Sequence, residues 1–410
     1  MKLLVIAAVW PEPNSSAAGT RMMSLLKLFK KQQWDITFAC TASDSSHSYP
    51  LANLDIQSKH IEVNNDTFDT FASELQPDIV LYDRFMIEEQ FSWRIDQHCP
   101  NALTLLETSD LHCLRQARQN ALKQDREFTS DDLNGETAYR EIASILRTDI
   151  SLIISKYELQ LLQDTFHISP LILHYLPFLH QQEQQQTDAW PSFEQREGFI
   201  SIGNFKHAPN WDSVQYLKTE IWPRIREKLP KANLYIYGAY PPPKATQLNA
   251  PKQGFHIKGW ADDANIVMQN VRLCLAPLRF GAGLKGKLLD AMINGTPSIT
   301  SSIGAEAMHS DLAWNGIISD NPDEYANAAI ELYQNKLNWQ QCQKNGLNIL
   351  ERCYQPAEFE DQLINKISST QQNLVSHRTQ NIYSGLLKYH AFKSSKYMSL
   401  WITEKNKKNG

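Results

Sequence analysis

The stretch "APLRFGAGLKGKLLDAMINGTPSITSSIGAEAM", Ala276 to Met308, decides how this chain is read. An apolar run ends in a glycine-rich loop. A basic, amphipathic segment follows, then Asn-Gly-Thr-Pro and a second short apolar run. That order is the pattern of a strand, a helix and a parallel strand. Gly281 and Gly283 bracket Ala282, and Leu284 is expected to open the helix. Unpaired backbone N–H groups at such a start point at an anion, and the helix dipole adds to the attraction. Lys285 and Lys287 supply positive charge nearby. Lys287 and Asp290 are three apart and share a face, so an ordinary surface ion pair between them is the alternative to a shared ligand. Gly304 and Glu306, in "SSIGAEAM", follow the next strand and fall beside the same loop.

The same alternation extends in both directions. Upstream, "GFISIGN", "ANLYIYG" and "FHIKGW" read as strands, and "PNWDSVQYLKTEIWPRIREKLP" as one helix with Asn210 as cap and Pro230 as stop. The first half repeats the scheme with "KLLVIAAV", "DITFAC", "DIVLYD", "ALTLLE" and "ISLIIS". Short β-branched runs alternating with helices mean βαβ units and parallel sheets. Between the halves, "HQQEQQQTDAWPSFEQREG" is polar, Gln-rich and without periodicity, which marks a linker. The expected organisation is an α/β domain over 1–180, a linker over 181–198 and a second α/β domain over 199–370. Residues 371–410 are expected to form helices or a loose tail.

Bulk properties narrow the function classes. Hydrophobic residues make up 42% of 410 and charged residues 21%, with a net charge of −5. There is no global basic field for nucleic acid, so an anion site must be local. The apolar run Leu3 to Val9 is followed by Trp10-Pro11-Glu12-Pro13 in place of a small-residue cleavage site, so it reads as a first buried strand. No run reaches the ~20 apolar residues of a membrane span. The six cysteines form no C-x-x-C pair and fit neither a zinc site nor a disulfide framework. A reducing cytoplasm and no structural metal are expected.

In open parallel sheets, ligands bind at the carboxyl ends of the strands. Besides the quoted unit, two loops there carry candidates. Ala17-Ala18-Gly19 permits close backbone approach before a helix, for a ligand or simply for a tight connection. "GNFKHAPN" offers Gly203, Lys206 and His207 to an anion. In the first half, Asp83, Arg84, Asp110, His112 and Arg115 lie at loop level, and His112 is a candidate base or sugar ligand.

Two similar α/β domains around a cleft resemble the GT-B fold. "PLRFGAGLKGKLLDAMINGTPSITSSIGAE" resembles the donor-binding signature of the group 1 (family 4) glycosyltransferases. "FISIGNFKHAPNWDSVQYL" is similar to the start of the C-terminal domain in the branch that reads G-x-x-x-x-x-P-N. The resemblance is specific from Phe199 to Ala326, loose before it and absent beyond Ser368. It implies two Rossmann-like domains facing a central cleft, with a nucleotide-diphosphate sugar held mainly by the second. It implies retaining transfer with no catalytic metal and no cofactor beyond that co-substrate. Asp290 takes the place of the acid that hydrogen-bonds the ribose. Ala282 stands where the family has its other acid, which leaves sugar contact to the backbone of Gly281 to Leu284. The early Arg of the family is missing, and Lys206 or Lys287 substitutes at the diphosphate. His112 and Lys287 are the expected catalytic residues. Gly19, Gly203, His207, Gly304 and Glu306 complete the expected donor site. The acceptor, a glycan, a lipid-linked molecule or another, is not specified. Surface glycan assembly by a cytoplasmic protein is the setting that family analogy implies, with peripheral contact at the inner face of a membrane left open. A nucleotide-sugar epimerase or hydrolase on the same fold, or a non-catalytic sugar-nucleotide-binding protein, are the competing readings.

Overall fold

The computed structural model describes residues 1–180 and 190–409. Among them, thirteen strands form two parallel sheets. The first holds β1 (Lys2–Ala7), β2 (Asp35–Cys40), β3 (Gln57–His60), β4 (Ile79–Asp83), β5 (Leu103–Glu107), β6 (Ile150–Ile153) and β7 (Leu173–Tyr175), in the order 3-2-1-4-5-6-7. The second holds β8 (Phe199–Ile202), β9 (Leu234–Tyr237), β10 (Phe255–Gly259), β11 (Leu273–Ala276), β12 (Ser298–Thr300) and β13 (Gly316–Ile318), in the order 10-9-8-11-12-13. Both sheets reverse direction of build at their first strand. The crevices where ligands collect are therefore at the ends of β1 and β4 and of β8 and β11.

The central strands are continuous apolar runs because both faces are covered. In β1, Leu3 to Ala7 are all fully buried, with Leu4 and Ile6 in one core and Leu3, Val5 and Ala7 in the other. β3 was invisible to sequence reading because all four of its residues are exposed and polar. It is an edge strand held only by pairing with β2.

Three features of the second half differ from expectation. The single helix read over 209–230 is two, Ala208–Tyr216 and Trp222–Lys228, joined by a wide π turn over Leu217–Ile221. Pro223 lacks the N–H that a regular helix needs at this point. Its N-terminal cap is His207, not Asn210. Lastly, the boundary at 370 falls inside the helix Pro356–Gln372, whose Leu363 and Ile367 are buried in the first domain's core. The second domain's own packing ends near Tyr354, and the last helices return to the first domain. Of the linker, 181–189 lie outside the described residues. Residues 190–198 are tied to the second domain: buried Arg196 donates to Thr296 Oγ1 at 2.7 Å and to the Asn294 carbonyl at 3.0 Å.

An apolar cluster joins the domains. Ile154 and Phe178 of the first pack with Leu284, Leu288 and Met292 of the second.

Candidate functional site

The first-domain wall of the cleft is built at the end of β5. The chain leaves Glu107, turns at Ser109 and Asp110, and enters the helix His112–Lys123. The two leading N–H groups of that helix, of His112 and Cys113, donate to the buried carboxylate of Glu141 at 3.0 and 2.9 Å. This cap fixes the imidazole, which lies 3.4 Å from Asp110 Oδ1 and edge-on to the Phe85 ring. Burial pushes His112 down to about 4, against the pull of Asp110, so it is neutral near pH 7. Burial would raise the Asp110 carboxyl, but its ion pair with Arg115 and the nearby His112 hold it at about 2.

The opposing wall comes from the ends of β8 and β11. Asn210 organises it: Nδ2 donates to the Asn204 carbonyl at 3.0 Å, and Oδ1 accepts from Lys287 Nζ at 2.7 Å. A Cβ at Gly203 would lie 2.6 Å from the Asn210 amide, so this glycine lets the side chain cross its own loop. Lys287 is half-buried, and burial pushes its ammonium down to about 8. Asp290, one turn on, forms no ion pair with Lys287; its carboxylate has no hydrogen-bond partner among the described residues. The carboxylate is open to solvent, although the surrounding protein still pushes it up to about 7. His207 sits at the rim, open to water. The crowded cleft pushes it down to about 4, aided by Arg115, Lys287 and His112 and opposed by Asp110. Those couplings place His207 across the cleft from the Asp110–His112–Arg115 group. Lys206 turns away from this centre, its ammonium 3.6 Å from the centre of the Tyr240 ring.

The glycine-rich loop behaves otherwise. The helix begins at Gly286, not at Leu284, and Leu284 is buried in the cluster between the domains. The Gly283 N–H is not free: it donates to Glu158 Oε1 at 2.7 Å, and the same oxygen accepts from Leu111 N at 2.9 Å. Gly283 has φ +62°, and a Cβ there would lie 2.9 Å from Asp110 Cβ. The Gly281 carbonyl accepts from Arg118 at 2.9 Å. Arg118 also clasps Glu306, expected as a donor ligand, at 2.9 and 2.6 Å. Ala282 packs against the first domain's core. Buried Lys285 donates to the Gly283 carbonyl at 2.7 Å. Burial and Asp110 raise Glu158, while burial lowers Lys285. This loop is a seal between domains.

Two other expected ligands have structural work. A Cβ on Gly19 would lie 2.3 Å from the Glu12 carbonyl, so this glycine lets the loop after β1 fold onto its helix. Gly304 is buried, donates to Ser301 Oγ at 3.1 Å, and would meet Thr300 Oγ1 at 1.9 Å if it carried a Cβ.

Sequence reading missed Glu158, Arg118, Glu141 and the structural role of Asn210. Glu158 had a findable signal, because it opens a helix directly after the apolar strand "ISLIIS". It also missed a strap at the far rim. Tyr240 donates to Glu12 at 2.8 and 3.0 Å, and His47 stacks on Trp260 with ring centres 4.1 Å apart.

Comparison with known proteins bears on this geometry. Residues 196–335 match the family model described as glycosyl transferases group 1. No curated protein sequence matches the chain. Solved structures match over nearly their whole length. The Anabaena protein HepE in complex with UDP and glucose has a TM-score of 0.67 at 11% identity, covering 90% of this chain and 100% of that one. A TarM variant from S. aureus, in complex with fondaparinux, alpha-GlcNAc-glycerol and UDP, has a TM-score of 0.66 at 10% identity, covering 89% and 99%. Sucrose-phosphate synthase from Thermosynechococcus elongatus has 0.62 at 13%, covering 92% and 100%. At these identities the structural likeness establishes the fold, and the family model adds a likeness confined to the second half of the chain. The chain therefore has the GT-B fold, and its residues 196–335 are similar to the glycosyl transferases of group 1.

Proposed function

We propose that the cleft moves a sugar from a nucleoside-diphosphate donor to an acceptor held by the first domain, with retention and without a catalytic metal. The observation that carries this reading is the wall of Lys287 and His207 across from neutral His112, with solvent-open Asp290 one turn beyond Lys287. HepE and TarM are seen in complex with UDP and sugars, which fits such a cleft.

Each group has a task that its environment suits. As the bond from the sugar C1 to the diphosphate oxygen breaks, negative charge gathers on the leaving phosphate. Lys287, fixed by Asn210, is the cation that meets it, and a preorganised charge in a partly desolvated site is an effective catalytic term. His207 adds a donor at the rim. Asp290, solvent-open and free of a protein cation, is placed to accept from ribose hydroxyls. His112 is neutral near pH 7 and can accept a hydroxyl proton from acceptor or sugar. Retention rests on the family resemblance alone, and metal independence on that resemblance and on these cations. Gly203 and Lys206 remain in the proposed donor wall, Lys206 at its edge. Gly281, Ala282, Gly283 and Leu284 support that wall from behind.

The test is incubation with a panel of nucleotide sugars, reading nucleoside diphosphate release with and without acceptor extract. Release that needs the extract supports transfer. Equal release in water alone would mean a hydrolase, and no release or binding would mean a different ligand.

A further inference from the structure

The final helix, Ile382–Asn409, turns the usual arrangement inside out. Its polar residues face the protein. Buried Ser399 accepts from Arg94 at 3.1 Å, buried Thr403 donates to the Asn64 carbonyl at 2.8 Å, and Ser384 donates to the Arg147 carbonyl at 3.1 Å. Lys388 donates to Asp96 at 2.9 Å. These bonds lock the helix to the first domain in one orientation. Its large apolar side chains then face out. Ile382, Tyr383, Leu386, Tyr397, Met398 and Trp401 are each more than half exposed. Their spacings keep them on one side: 382 to 386 and 397 to 401 are one turn, and 386 to 397 is three turns. Isolated exposed apolar residues need no explanation, but two such groups on one side of a single helix do.

Charge selects the occupant. The segment 382–409 carries six lysines and one glutamate, in a chain whose net charge is −5, and even with Lys388 neutralised by Asp96 it stays basic. Lys405 lies beside the Trp401 ring, 5.2 Å from its centre. Tyrosine and tryptophan with an apolar body and a polar edge, mixed with lysine, match the boundary layer of an anionic bilayer. No helix among the described residues is long and apolar enough to cross a membrane, so the contact is with the surface. We infer that this helix lies flat on an anionic lipid surface, its aromatic stripe in the headgroup layer and Lys405, beside Trp401, toward the lipid charge. It packs against the helix Glu136–Arg147, which also supplies the Glu141 cap of the His112 helix. The docked face is thus one helix layer behind the acceptor wall.

The experiment is vesicle co-flotation of the full chain, with phosphatidylcholine alone and with phosphatidylglycerol added. Wild type should float with the anionic vesicles only, and added salt should release it. The triple variant Tyr397→Ser, Met398→Ser, Trp401→Ser should lose roughly tenfold or more of that binding. Its melting temperature and nucleotide affinity should stay unchanged, because these side chains are exposed. The charge variant Lys405→Glu should weaken binding without touching the apolar stripe. Absence of wild-type flotation, or equal flotation of wild type and triple variant, overturns the inference. So does a lipid-free dimer that the triple variant makes monomeric, since a second copy then covers the stripe.

Discussion

Two loops at the mouth of the second sheet look alike in sequence and do opposite things. The loop Gly203–His207 and the loop Gly281–Lys285 both follow a strand, contain glycine and lysine, and precede a helix. In the structure the first is open, with His207 and Lys206 in solvent and Asn210 steering Lys287. The second is sealed: one backbone N–H goes to Glu158, one carbonyl to Arg118, and Leu284 goes into the core. A glycine loop is a socket only if nothing in the chain already fills it. Here the first domain supplies the carboxylate that an external anion would otherwise provide.

The largest expected effect follows from breaking the seal. Arg118→Leu strands the Glu306 carboxylate at the domain interface, and removing one partner of a buried pair costs about 3–5 kcal/mol. The midpoint of unfolding should fall steeply, read by calorimetry or circular dichroism. An unfolding midpoint equal to wild type would show that the clasp is not made in solution. Smaller, at about 1–3 kcal/mol, is the cost of Gly283→Ala, which forces a side chain into a left-handed conformation against Asp110. That variant should lose stability first and donor affinity only secondarily. Selective loss of nucleotide binding at unchanged stability would restore the loop as a socket.

Much of this comparison could be read from residues, and the part that could not has a common cause. The strands were legible because fully buried parallel strands are unbroken apolar runs, as in "KLLVIAAV" and "DIVLYD". Their carboxyl ends then located Asp110, His112 and His207 at loop level without further information. The polar edge strand Gln57–His60 has no such signal. Pro223 hid in an otherwise helical pattern. The sealing of Gly283 depends on Glu158, 125 positions away, and on Arg118, 163 positions from Gly281. Local pattern carries no information on such partners. The same limit moved the domain boundary: nothing around Leu363 says which domain it packs against.

Two smaller effects sharpen the open loop. Lys287 must be charged to hold a phosphate, and burial has lowered it to about 8. It is protonated below that value, so donor affinity should fall as pH rises through it, by roughly tenfold between pH 7 and 9. Lys287→Arg keeps the charge at all these values and should flatten that limb, whatever its affinity at pH 7. A limb that persists unchanged in the arginine variant assigns it to another group. Asp290→Asn removes the charge and turns one acceptor oxygen into a donor NH2 but keeps the other oxygen as acceptor, so its loss of nucleoside diphosphate affinity should stay within about tenfold, while Asp290→Ala loses roughly 10- to 100-fold. Equal affinities for both and for wild type would take Asp290 out of the site.

The central claim is that the open loop and Lys287, rather than the glycine-rich seal, grip the donor's diphosphate. Titration calorimetry of a nucleoside diphosphate onto Lys287→Met measures it most directly. Loss of a charge-assisted bond worth about 1.5–3 kcal/mol should raise Kd roughly 10- to 100-fold, with a melting temperature near that of wild type. A Kd equal to wild type in the folded variant would contradict the account.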